Sequence, residues 1–440
     1  MKLHTTVALA ACVALAACGS KDGKFDKSAQ YGPDPMLPEP SRGLLPNMGV
    51  PKVVGWGQGE APSVPQGFRV EAIATGLSSP RNVYALANGD LLVIESKKEA
   101  KEPVERPKRP VMAWIESKAH GSGGGGPSNR ILLLRAAGSD GKPAAPIVLI
   151  DHLNSPFGVV LVGDALYVAD TDAILRFPFK AGDTQVGGAP TKIVDLPAGP
   201  INHHWTKSLT ASPDGSKLYV GVGSNSNAME RGLIAEMNRA AIWEVDPSNG
   251  EYKVFASGLR NPNGLTFYPG SNVLWTVVNE RDELGPNLVP DYMTSVKPGA
   301  FYGWPFSYWG QHEDARVRPQ QPDKVKAAIP PDYGLSSHVA PLGLAFYTGA
   351  SFPAQFKGGA FVGEHGSWNR PELNGYKVVF IRFDNGRPVG QPMDFVTGFL
   401  KDGKARGRPV GVAVDRSGAL IVADDVGNTV WRVTASAPTS

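Results

Sequence analysis

The stretch that decides the fold runs from Ser257 to Pro305: SGLRNPNGLTFYPGSNVLWTVVNERDELGPNLVPDYMTSVKPGAFYGWP. It opens with a loop that carries Arg260 and Asn261, and two short apolar runs follow with a Pro-Gly turn between them. Apolar runs of this kind, bounded by Gly, Pro, Asn and Ser, are typical of paired β-strands. The stretch therefore predicts a hairpin scaffold with a polar site on the loops at its ends.

The same pattern of a loop, an apolar strand, a turn and a second apolar strand recurs along the chain. Its six copies are Ser79–Glu95, Ser155–Ala169, Thr206–Val222, Asn261–Val278, Ala340–Val362 and Arg408–Ala423. A sheet with two apolar faces cannot bury both by itself, whereas sheets stacked radially around an axis can. We therefore expect an all-β fold, a six-bladed β-propeller of four-stranded antiparallel sheets. We also expect the last strand to pair with the segment after Phe68, which closes the ring.

Composition narrows the class of protein and of partner. Hydrophobic residues make up 42% of the chain, enough for a large core, and 52 glycines and 39 prolines suit many short strands joined by tight turns. Only 19% of the residues are charged and the net charge is +3, so the sequence predicts no basic surface for nucleic acid.

The N-terminus has the features of a secretion signal. Lys2 precedes an apolar run, Val7–Ala17, that is too short to span a bilayer. The Leu-Ala-Ala-Cys sequence that ends at Cys18 resembles a bacterial lipobox, which predicts residues 1–17 as a lipoprotein signal peptide and Cys18 as the lipidated residue. A plain secretory signal is the alternative. We expect a periplasm-facing protein held at a membrane, the outer membrane in particular, by its lipid anchor alone.

Cysteine chemistry is excluded by the same assignment. The only other cysteine, Cys12, leaves with the signal peptide. The mature chain then has neither a disulfide nor a thiol nucleophile, and it cannot build a cysteine-based zinc site.

The rest of the chain divides into a lead-in and one large domain. Residues 18–65 are rich in glycine, proline and charge, which predicts a tether and an extended lead-in. Residues 66–435 hold the repeated pattern and form the predicted propeller. Within them, residues 97–128 interrupt the first copy with charges, prolines and a run of glycines. We interpret this segment as a mobile insertion loop, with a lid as the alternative.

Polar residues precede the inner strand of each copy, and loops on one face of a propeller converge on its axis. The residues at these positions are Arg81, Asn82, Asn154, His203, His204, Arg260, Asn261, His338 and Arg408. An apolar core would not collect such cations and imidazoles, because burial of an unpaired charge is costly. A polyanionic ligand at the axis accounts for them.

The His203-His204 pair is the candidate for proton chemistry. Histidine, with a pKa of about 6.5, is the usual general base for a hydroxyl proton. One alternative is a turn histidine whose ring bonds to the backbone. The other is a metal-binding pair, for which no third ligand has a familiar spacing.

The loop after the second apolar run holds four acids, Glu280, Asp282, Glu283 and Asp291, around a Gly-Pro pair. Carboxylates and backbone carbonyls suit Ca²⁺, a hard cation that takes six to eight oxygen ligands. The loop therefore predicts a calcium site, with a solvated acidic loop as the alternative.

Several motifs taken together are specific. They are GLRNPNGLTF, VVNERDELG followed by LVPDY, FYGWP, the His-His pair before KSLTASPDGSKLYV, GGAFVGEHGSWNR and GRPVGVAVDRSGALIVADD. Between Phe68 and Thr434 the chain resembles the soluble pyrroloquinoline quinone (PQQ)-dependent sugar dehydrogenases, in particular the L-sorbosone and aldose sugar dehydrogenase branch. The resemblance implies a six-bladed propeller, in agreement with the repeat count.

The resemblance also implies roles for individual residues. His204 is the implied general base, and Arg260 is the implied catalytic partner at the quinone. The implied cofactor contacts are Arg260, Asn261, Arg408, His203 and Lys377, with Arg370 and His365 as alternatives to Lys377. The implied calcium ligands are Gly285, Pro286, Asp291 and Tyr302. Ser224 stands where the family has an aspartate that supports the base.

The implied reaction is oxidation of an aldose or of a sugar aldehyde such as L-sorbosone, with PQQ and Ca²⁺ as cofactors. PQQ carries three carboxylates and an ortho-quinone, which arginines and Ca²⁺ anchor and polarise. His204 takes a proton from the sugar, hydride passes to the quinone, and a further quinone or a cytochrome accepts the electrons. Two alternatives remain open. One is a non-catalytic propeller that binds a glycan or a protein, and the other is a sugar lactonase, which needs carboxylate metal ligands from several copies.

Overall fold

The computed structural model describes the chain in four ranges, residues 25–41, 49–98, 128–136 and 145–436. The predicted signal peptide, the lipidation site Cys18 and most of the predicted insertion loop lie outside the described residues. Among the helices of the described ranges, none is long and apolar enough to cross a membrane.

Short strands make up most of the regular structure in these ranges. In chain order they are β1 Tyr31–Gly32, β2 Lys52–Val53, β3 Phe68–Ala74, β4 Pro80–Ala85, β5 Leu91–Glu95, β6 Arg130–Leu134, β7 Ile147–Ile150, β8 Gly158–Val162, β9 Ala165–Ala169, β10 Ala173–Pro178, β11 Thr191–Asp195, β12 Leu209–Ala211, β13 Leu218–Val222, β14 Ala241–Val245, β15 Tyr252–Ser257, β16 Pro262–Phe267, β17 Leu274–Val278, β18 Pro290–Ser295, β19 Ser307–Tyr308, β20 His312–Glu313, β21 Tyr333–Ser337, β22 Pro341–Phe346, β23 Ala360–Glu364, β24 Lys377–Asp384, β25 Arg387–Val396, β26 Leu400–Lys401, β27 Lys404–Ala405, β28 Pro409–Val414, β29 Leu420–Asp424 and β30 Thr429–Ala435. The helical segments are α1 Pro322–Ala327 and the 3-10 helices Lys27–Gln30, Leu233–Glu236 and Ala354–Phe356.

Most of these strands form six antiparallel sheets that follow one another along the chain. Sheets 1, 2, 3 and 5 are β4–β7, β8–β11, β12–β15 and β22–β25. Sheet 6 joins β28–β30 to β3, and sheet 4 has the strand order β1, β21, β18, β17, β16. The predicted four-stranded antiparallel sheet is therefore found five times. Sheet 4 differs because the lead-in segment adds β1 to its outer edge.

The first strands of the six sheets contact one another in a closed circuit. β4 contacts β8, β8 contacts β12, β12 contacts β16, β16 contacts β22, β22 contacts β28, and β28 contacts β4. The apolar cores lie between adjacent sheets, as where Leu92 and Ile94 of sheet 1 pack with Leu166 and Val168 of sheet 2. Each sheet thus buries both faces against its neighbours, an arrangement that is consistent with a β-propeller.

The two ends of the chain meet in sheet 6. β3, the first strand of the domain, pairs with β30, the last, and Val70 lies opposite Val433. The prediction that the last strand pairs with the segment after Phe68 is confirmed. This pairing covers an edge of β30 that would otherwise be exposed.

The chain direction places the polar loops at one end of each sheet. The first and second strands of a sheet are joined by a turn, so the segments before the first strand and after the second lie at the same end. His204 precedes β12, Arg260 precedes β16, His338 precedes β22 and Arg408 precedes β28. We call this end of the molecule the loop end.

Candidate active site

His204 is oriented at the loop end by the segment that follows β13. Its Nδ1 lies 2.7 Å from the main-chain oxygen of Ser224 and 3.1 Å from the hydroxyl of the same residue. A carbonyl oxygen only accepts hydrogen bonds, so Nδ1 carries the proton and donates it. In the neutral ring Nε2 is then the unprotonated nitrogen. The ring of His203 lies edge-on to that of His204, with 4.6 Å between the centroids.

Asn261 lies beside His204, and Gly223 separates them. A Cβ atom on Gly223 would overlap both the amide oxygen of Asn261 and the Cβ of His204, so only glycine fits at this position. The Asn261 Oδ1 atom is buried and has no hydrogen-bond partner within the described ranges. Because buried acceptors are nearly always satisfied, this atom marks a place where a ligand or a water donates.

Arg260, the predicted catalytic arginine, is buried and fully engaged by the protein. Its Nε and Nη2 donate to the main-chain oxygen and the amide oxygen of Asn227, at 3.2 and 3.1 Å. Its Nη1 donates to the main-chain oxygens of Asn279 and Glu280, and Nη2 also meets Asp282 at 3.5 Å. The five N–H bonds of a guanidinium therefore each have an acceptor here. Arg260 braces the acidic loop, and its role towards a cofactor remains a prediction.

A second group of charged residues lies across the loop end. Arg81 Nη1 donates to Asp425 at 2.7 Å, and its guanidinium lies over the ring of Trp205, 5.3 Å from the centroid. The ring of His365 lies 3.0 Å from the same carboxylate through Nε2. Trp205 is the residue after His204, so this group adjoins the candidate base. The Arg81 Nε atom is buried without a hydrogen-bond partner in the part of the chain that the structure describes.

Arg408 joins this second group through the backbone. Its Nε donates to the main-chain oxygen of His365 at 2.9 Å, its Nη2 donates to that of Gly366 at 2.7 Å, and its guanidinium covers the ring of Tyr376. Burial, with the Arg408 charge, lowers the pKa of His365 to about 4. The imidazole is therefore neutral at pH 7 and donates Nε2–H to Asp425.

Asp425 stays ionised in this setting. Burial alone would raise its pKa, but contact with His365 and the guanidiniums of Arg81 and Arg408 lowers it to about 2. Two arginine cations thus lie around the Asp425 carboxylate, while a second buried carboxylate, Asp424, accepts the backbone N–H of Arg408. The guanidiniums are the groups here that suit an anionic ligand.

The acidic loop is held by an internal cation. Arg281 has no exposed surface and contacts Glu280 at 3.0 Å and Asp314 at 3.1 Å. It also donates to the main-chain oxygens of Pro305 and Ser307. The guanidinium thus connects the loop to the turn at residues 301–305 and to the β19–β20 hairpin. It therefore neutralises two of the carboxylates that face it.

Three of the four residues predicted as calcium ligands already have protein partners. The Gly285 carbonyl lies 3.1 Å from His338 Nε2, and Asp291 accepts backbone N–H groups from Glu280 and Ala340. The Tyr302 hydroxyl donates to the main-chain oxygen of Ser295. Burial raises the pKa of Asp291 to about 8, which favours its neutral form. Pro286 directly follows Gly285, and no group of three or more His, Cys, Asp or Glu in the described ranges is placed to hold a metal.

Lys377 lies away from these groups. Its ammonium meets Asp394 at 2.5 Å and lies 5.9 Å from the ring centroid of Tyr31, at the edge where β24 and the lead-in meet. Arg370, one alternative, donates to Ser337 and Asn287. His365, the other alternative, adjoins Arg408. The cofactor role of Lys377 therefore remains a prediction that its position does not favour.

Sequence reasoning missed two members of the second group, Trp205 and Asp425. Trp205 follows the histidine pair directly, and Asp425 directly follows β29, the second strand of sheet 6. Asp425 could have been found from its position in the sequence pattern. Residues directly after the second strand of a copy lie at the loop end, as do residues before the first strand.

Comparisons with known proteins find related sequences. The model of the family Glucose / Sorbosone dehydrogenase matches residues 169–431. The aldose sugar dehydrogenase YliI of Escherichia coli (strain K12) is 29% identical over 159 residues, which are 33% of this chain and 41% of that protein. An uncharacterized protein of Borreliella burgdorferi is 29% identical over 294 residues, 64% of this chain and 76% of that protein.

Solved structures share the fold at lower identity. A Trichoderma reesei enzyme of Carbohydrate-Active Enzymes Family AA12 superposes with a TM-score of 0.68 and 20% identity, covering 86% of this chain and 98% of that one. The holo form of the pyranose dehydrogenase PQQ domain from Coprinopsis cinerea gives 0.66 and 19%, covering 88% and 99%. The match of the family model extends over more than half of the chain, and the chain belongs to the glucose/sorbosone dehydrogenase family.

Proposed function

We propose that the protein is a PQQ-dependent dehydrogenase that oxidises an aldose or a sugar aldehyde such as L-sorbosone. Membership of the glucose/sorbosone dehydrogenase family supports an oxidoreductase that acts on sugars. The aldose sugar dehydrogenase of Streptomyces coelicolor, solved in its PQQ-bound form, and the Coprinopsis cinerea PQQ domain are similar in fold. The closed circuit of six first strands supports a six-bladed propeller as the scaffold.

The observation that carries the proposal is the orientation of His204. Because Nδ1 donates to the Ser224 carbonyl, the basic lone pair of the neutral ring is on Nε2. That nitrogen accepts the hydroxyl proton of the sugar, and the Ser224 carbonyl then stabilises the imidazolium through the Nδ1–H bond. Ser224 thus orients the base through its backbone, where an aspartate side chain is expected from the resemblance.

The residues around His204 fit a polyanionic cofactor. When bound, PQQ supplies an ortho-quinone that takes up the two electrons lost by the sugar. Within the described ranges, the buried Nε–H of Arg81 meets no protein acceptor and the buried Oδ1 of Asn261 meets no protein donor. Arg408 adds a second guanidinium next to Arg81 and His365. Together these groups bind and orient a ligand that carries carboxylates.

Calcium does not fit the predicted ligands in their present arrangement. The Gly285, Asp291 and Tyr302 oxygens bond to protein groups, and Arg281 pairs with Glu280. No step of the proposed reaction therefore depends on Ca²⁺, and metal analysis of the purified protein tests this point.

The proposed surroundings follow from the N-terminus. A lipid on Cys18 would hold the enzyme at the periplasmic face of a membrane, where a quinone or a cytochrome accepts its electrons. Mass spectrometry of the mature N-terminal peptide tests the lipid: a diacylglyceryl adduct on Cys18 is expected, and an unmodified N-terminus at another residue contradicts it.

The test of the function is a titration of the purified protein with PQQ, with and without Ca²⁺, followed by absorbance. Saturable binding and dye-linked oxidation of aldoses or L-sorbosone are the expected results. If the protein shows no quinone absorbance after reconstitution, the proposed activity is wrong. The alternative, a non-catalytic propeller that binds a glycan or a protein, then takes its place.

A further inference from the structure

The last part of the lead-in, residues 49–65, follows the loop end rather than leaving the domain. Its β2 strand pairs in parallel with β27, with Val53 opposite Ala405. Ser63 and Thr397 exchange two backbone hydrogen bonds of 2.9 Å. Glu60 meets Arg406 at 2.8 Å. The segment is thus attached along the whole stretch of chain that leads up to Arg408.

Trp56 connects this segment to a buried carboxylate by a hydrogen bond. Its indole Nε1 donates to Asp424 Oδ2 at 2.7 Å. The ring packs edge-on against Phe399 and Trp431, with centroids 5.6 and 5.2 Å away. Trp56 therefore connects the lead-in segment to the end of β29, next to the second charged group.

The Asp424 carboxylate is fully buried and receives four hydrogen bonds. Oδ2 accepts from Trp56 and, at 3.2 Å, from Trp431, while Oδ1 accepts the backbone N–H groups of Arg408 and Gly427 at 2.8 Å. A Cβ atom on Gly427, or on Gly407 just before Arg408, would overlap this carboxylate. Because the carboxylate is closely packed and accepts the Arg408 N–H, we expect a rotation of the carboxylate to displace the Arg408 backbone.

Arg408 depends on this carboxylate for its place. Its backbone N–H is fixed by Asp424, and its guanidinium then reaches the carbonyls of His365 and Gly366. Without the Trp56 bond, Oδ2 retains only the longer bond from Trp431. The carboxylate is then less firmly held, and the Arg408 backbone with it.

We propose that Trp56 is a positioning residue for Arg408, which it acts on through the Asp424 carboxylate, so that the lead-in segment is a working part of the site. The effect on ligand binding rests on the proposed function of Arg408 as a cofactor contact. The effect on the Arg408 backbone does not depend on it. Two measurements therefore separate the two proposals.

The first measurement is hydrogen–deuterium exchange of the full chain, for Trp56→Phe and for Glu60→Gln as the matched control. The phenylalanine keeps the ring contacts but loses the donor, whereas Glu60→Gln weakens the same segment without touching Asp424. We expect the Arg408 amide to exchange roughly 10-fold faster in Trp56→Phe and at the native rate in Glu60→Gln, as for loss of a bond to a charged group. Faster exchange confined to residues 52–57 overturns the proposal.

The second measurement is the affinity of each variant for PQQ by absorbance titration. A loss of roughly 10-fold in Trp56→Phe, with native affinity in Glu60→Gln, is expected from a displaced guanidinium. Native affinity in Trp56→Phe overturns the positioning role. If the native protein binds no PQQ, the proposed function fails while the exchange result still decides the Trp56–Asp424–Arg408 link. If Trp56→Phe does not fold, Asp424→Asn is the second variant. The proposal requires that the Arg408 amide exchange faster in it than in the native protein.

Discussion

At the scale of single residues, the contacts of His204 distinguish the base itself from the groups of Ser224 that orient its ring. We expect His204→Ala to lower kcat/KM for sugar oxidation by roughly 10² to 10⁴-fold, the usual contribution of a positioned base. Ser224→Ala keeps the main-chain oxygen 2.7 Å from Nδ1 and removes only the hydroxyl at 3.1 Å. Its loss should stay below about 10-fold, in line with one neutral hydrogen bond.

Steady-state kinetics with PQQ-saturated protein check both variants side by side. A Ser224→Ala loss as large as that of His204→Ala would show that the hydroxyl, not the carbonyl, orients the ring. Equal and unchanged activity in both variants would remove His204 from the reaction.

Glu364 makes the stability of the protein depend on pH. Its carboxyl group is fully buried, both oxygens lack a hydrogen-bond partner within the described residues, and burial raises its pKa to about 8 despite the neighbouring Lys377. The folded pKa exceeds the unfolded one, so the stabilisation by this group is complete at acidic pH. It is lost as the pH rises towards and through 8, by as much as about 1.4 kcal/mol per pH unit.

Glu364→Gln, which stays neutral, should escape this loss. Urea unfolding at pH 5.5 and at pH 8.5 measures it: the variant should gain up to about 3 kcal/mol relative to the native protein between the two values. A pH-independent difference between the two proteins would mean that Glu364 is ionised in the fold at both pH values.

At the scale of elements, the acidic loop is stabilised by Arg281. Arg281→Met leaves Glu280 and part of the Asp314 carboxylate buried without their cation, and we expect a loss of about 3–5 kcal/mol in the free energy of unfolding. The matched control is Arg318→Met, because that side chain is 63% exposed and 4.0 Å from Glu313. Its effect should stay within about 0.5 kcal/mol.

Urea denaturation of both variants gives the comparison. If Arg281→Met lowers the free energy of unfolding only slightly, and by more once Ca²⁺ is removed, a bound cation also stabilises the carboxylates that the guanidinium contacts. That result would restore the calcium prediction for this loop.

The strands were predictable from the sequence because their signal is local. The pattern of apolar runs and turns placed both strands of each copy, as in Asn261–Val278, which contains β16 and β17. The predicted residues of the loop end were found for the same reason, since they stand within a few residues before a first strand or, as Arg81 and Asn82 do in β4, at its beginning. Their partners were not, because these depend on contacts between distant loops. Nothing local to Arg260 shows that its five N–H bonds are used by Asn227, Asn279, Glu280 and Asp282.

The lead-in was the least predictable element. Its glycines, prolines and charges predict an extended chain, and in the described ranges it is extended apart from the 3-10 helix Lys27–Gln30. The composition does not predict that β2 pairs with β27 and β1 with β21. An extended chain that adds to a sheet edge needs no apolar periodicity. Gln30, fully buried and bonded to Asn287 and Ser337, is polar for the same reason: it satisfies backbone and side-chain groups at that edge.

At the scale of the whole molecule, the circuit of sheets is closed by strands from both ends of the chain. β30 pairs with β29 on one side and with β3 on the other, and its side chains Val430, Trp431 and Val433 are buried. We expect a chain that ends at Asn428 to lose its cooperative fold. Burial of three such side chains is worth about 5–9 kcal/mol, which is comparable to the whole stability of a domain. The loss also exposes one edge of β29 and one of β3.

A chain that ends at Ser436 is the control, since it keeps every residue of β30. Thermal unfolding and size-exclusion chromatography compare the two: the longer chain should unfold like the native protein, and the shorter should aggregate or show no transition. A cooperative transition in the shorter chain would mean that sheets 1 to 5 are stable as an open arc. PQQ binding by that folded shorter chain would mean that the loop-end site forms without closure of the circuit. Loss of PQQ binding would instead show that closure is needed to bring Arg81 of sheet 1 against Asp425 of sheet 6.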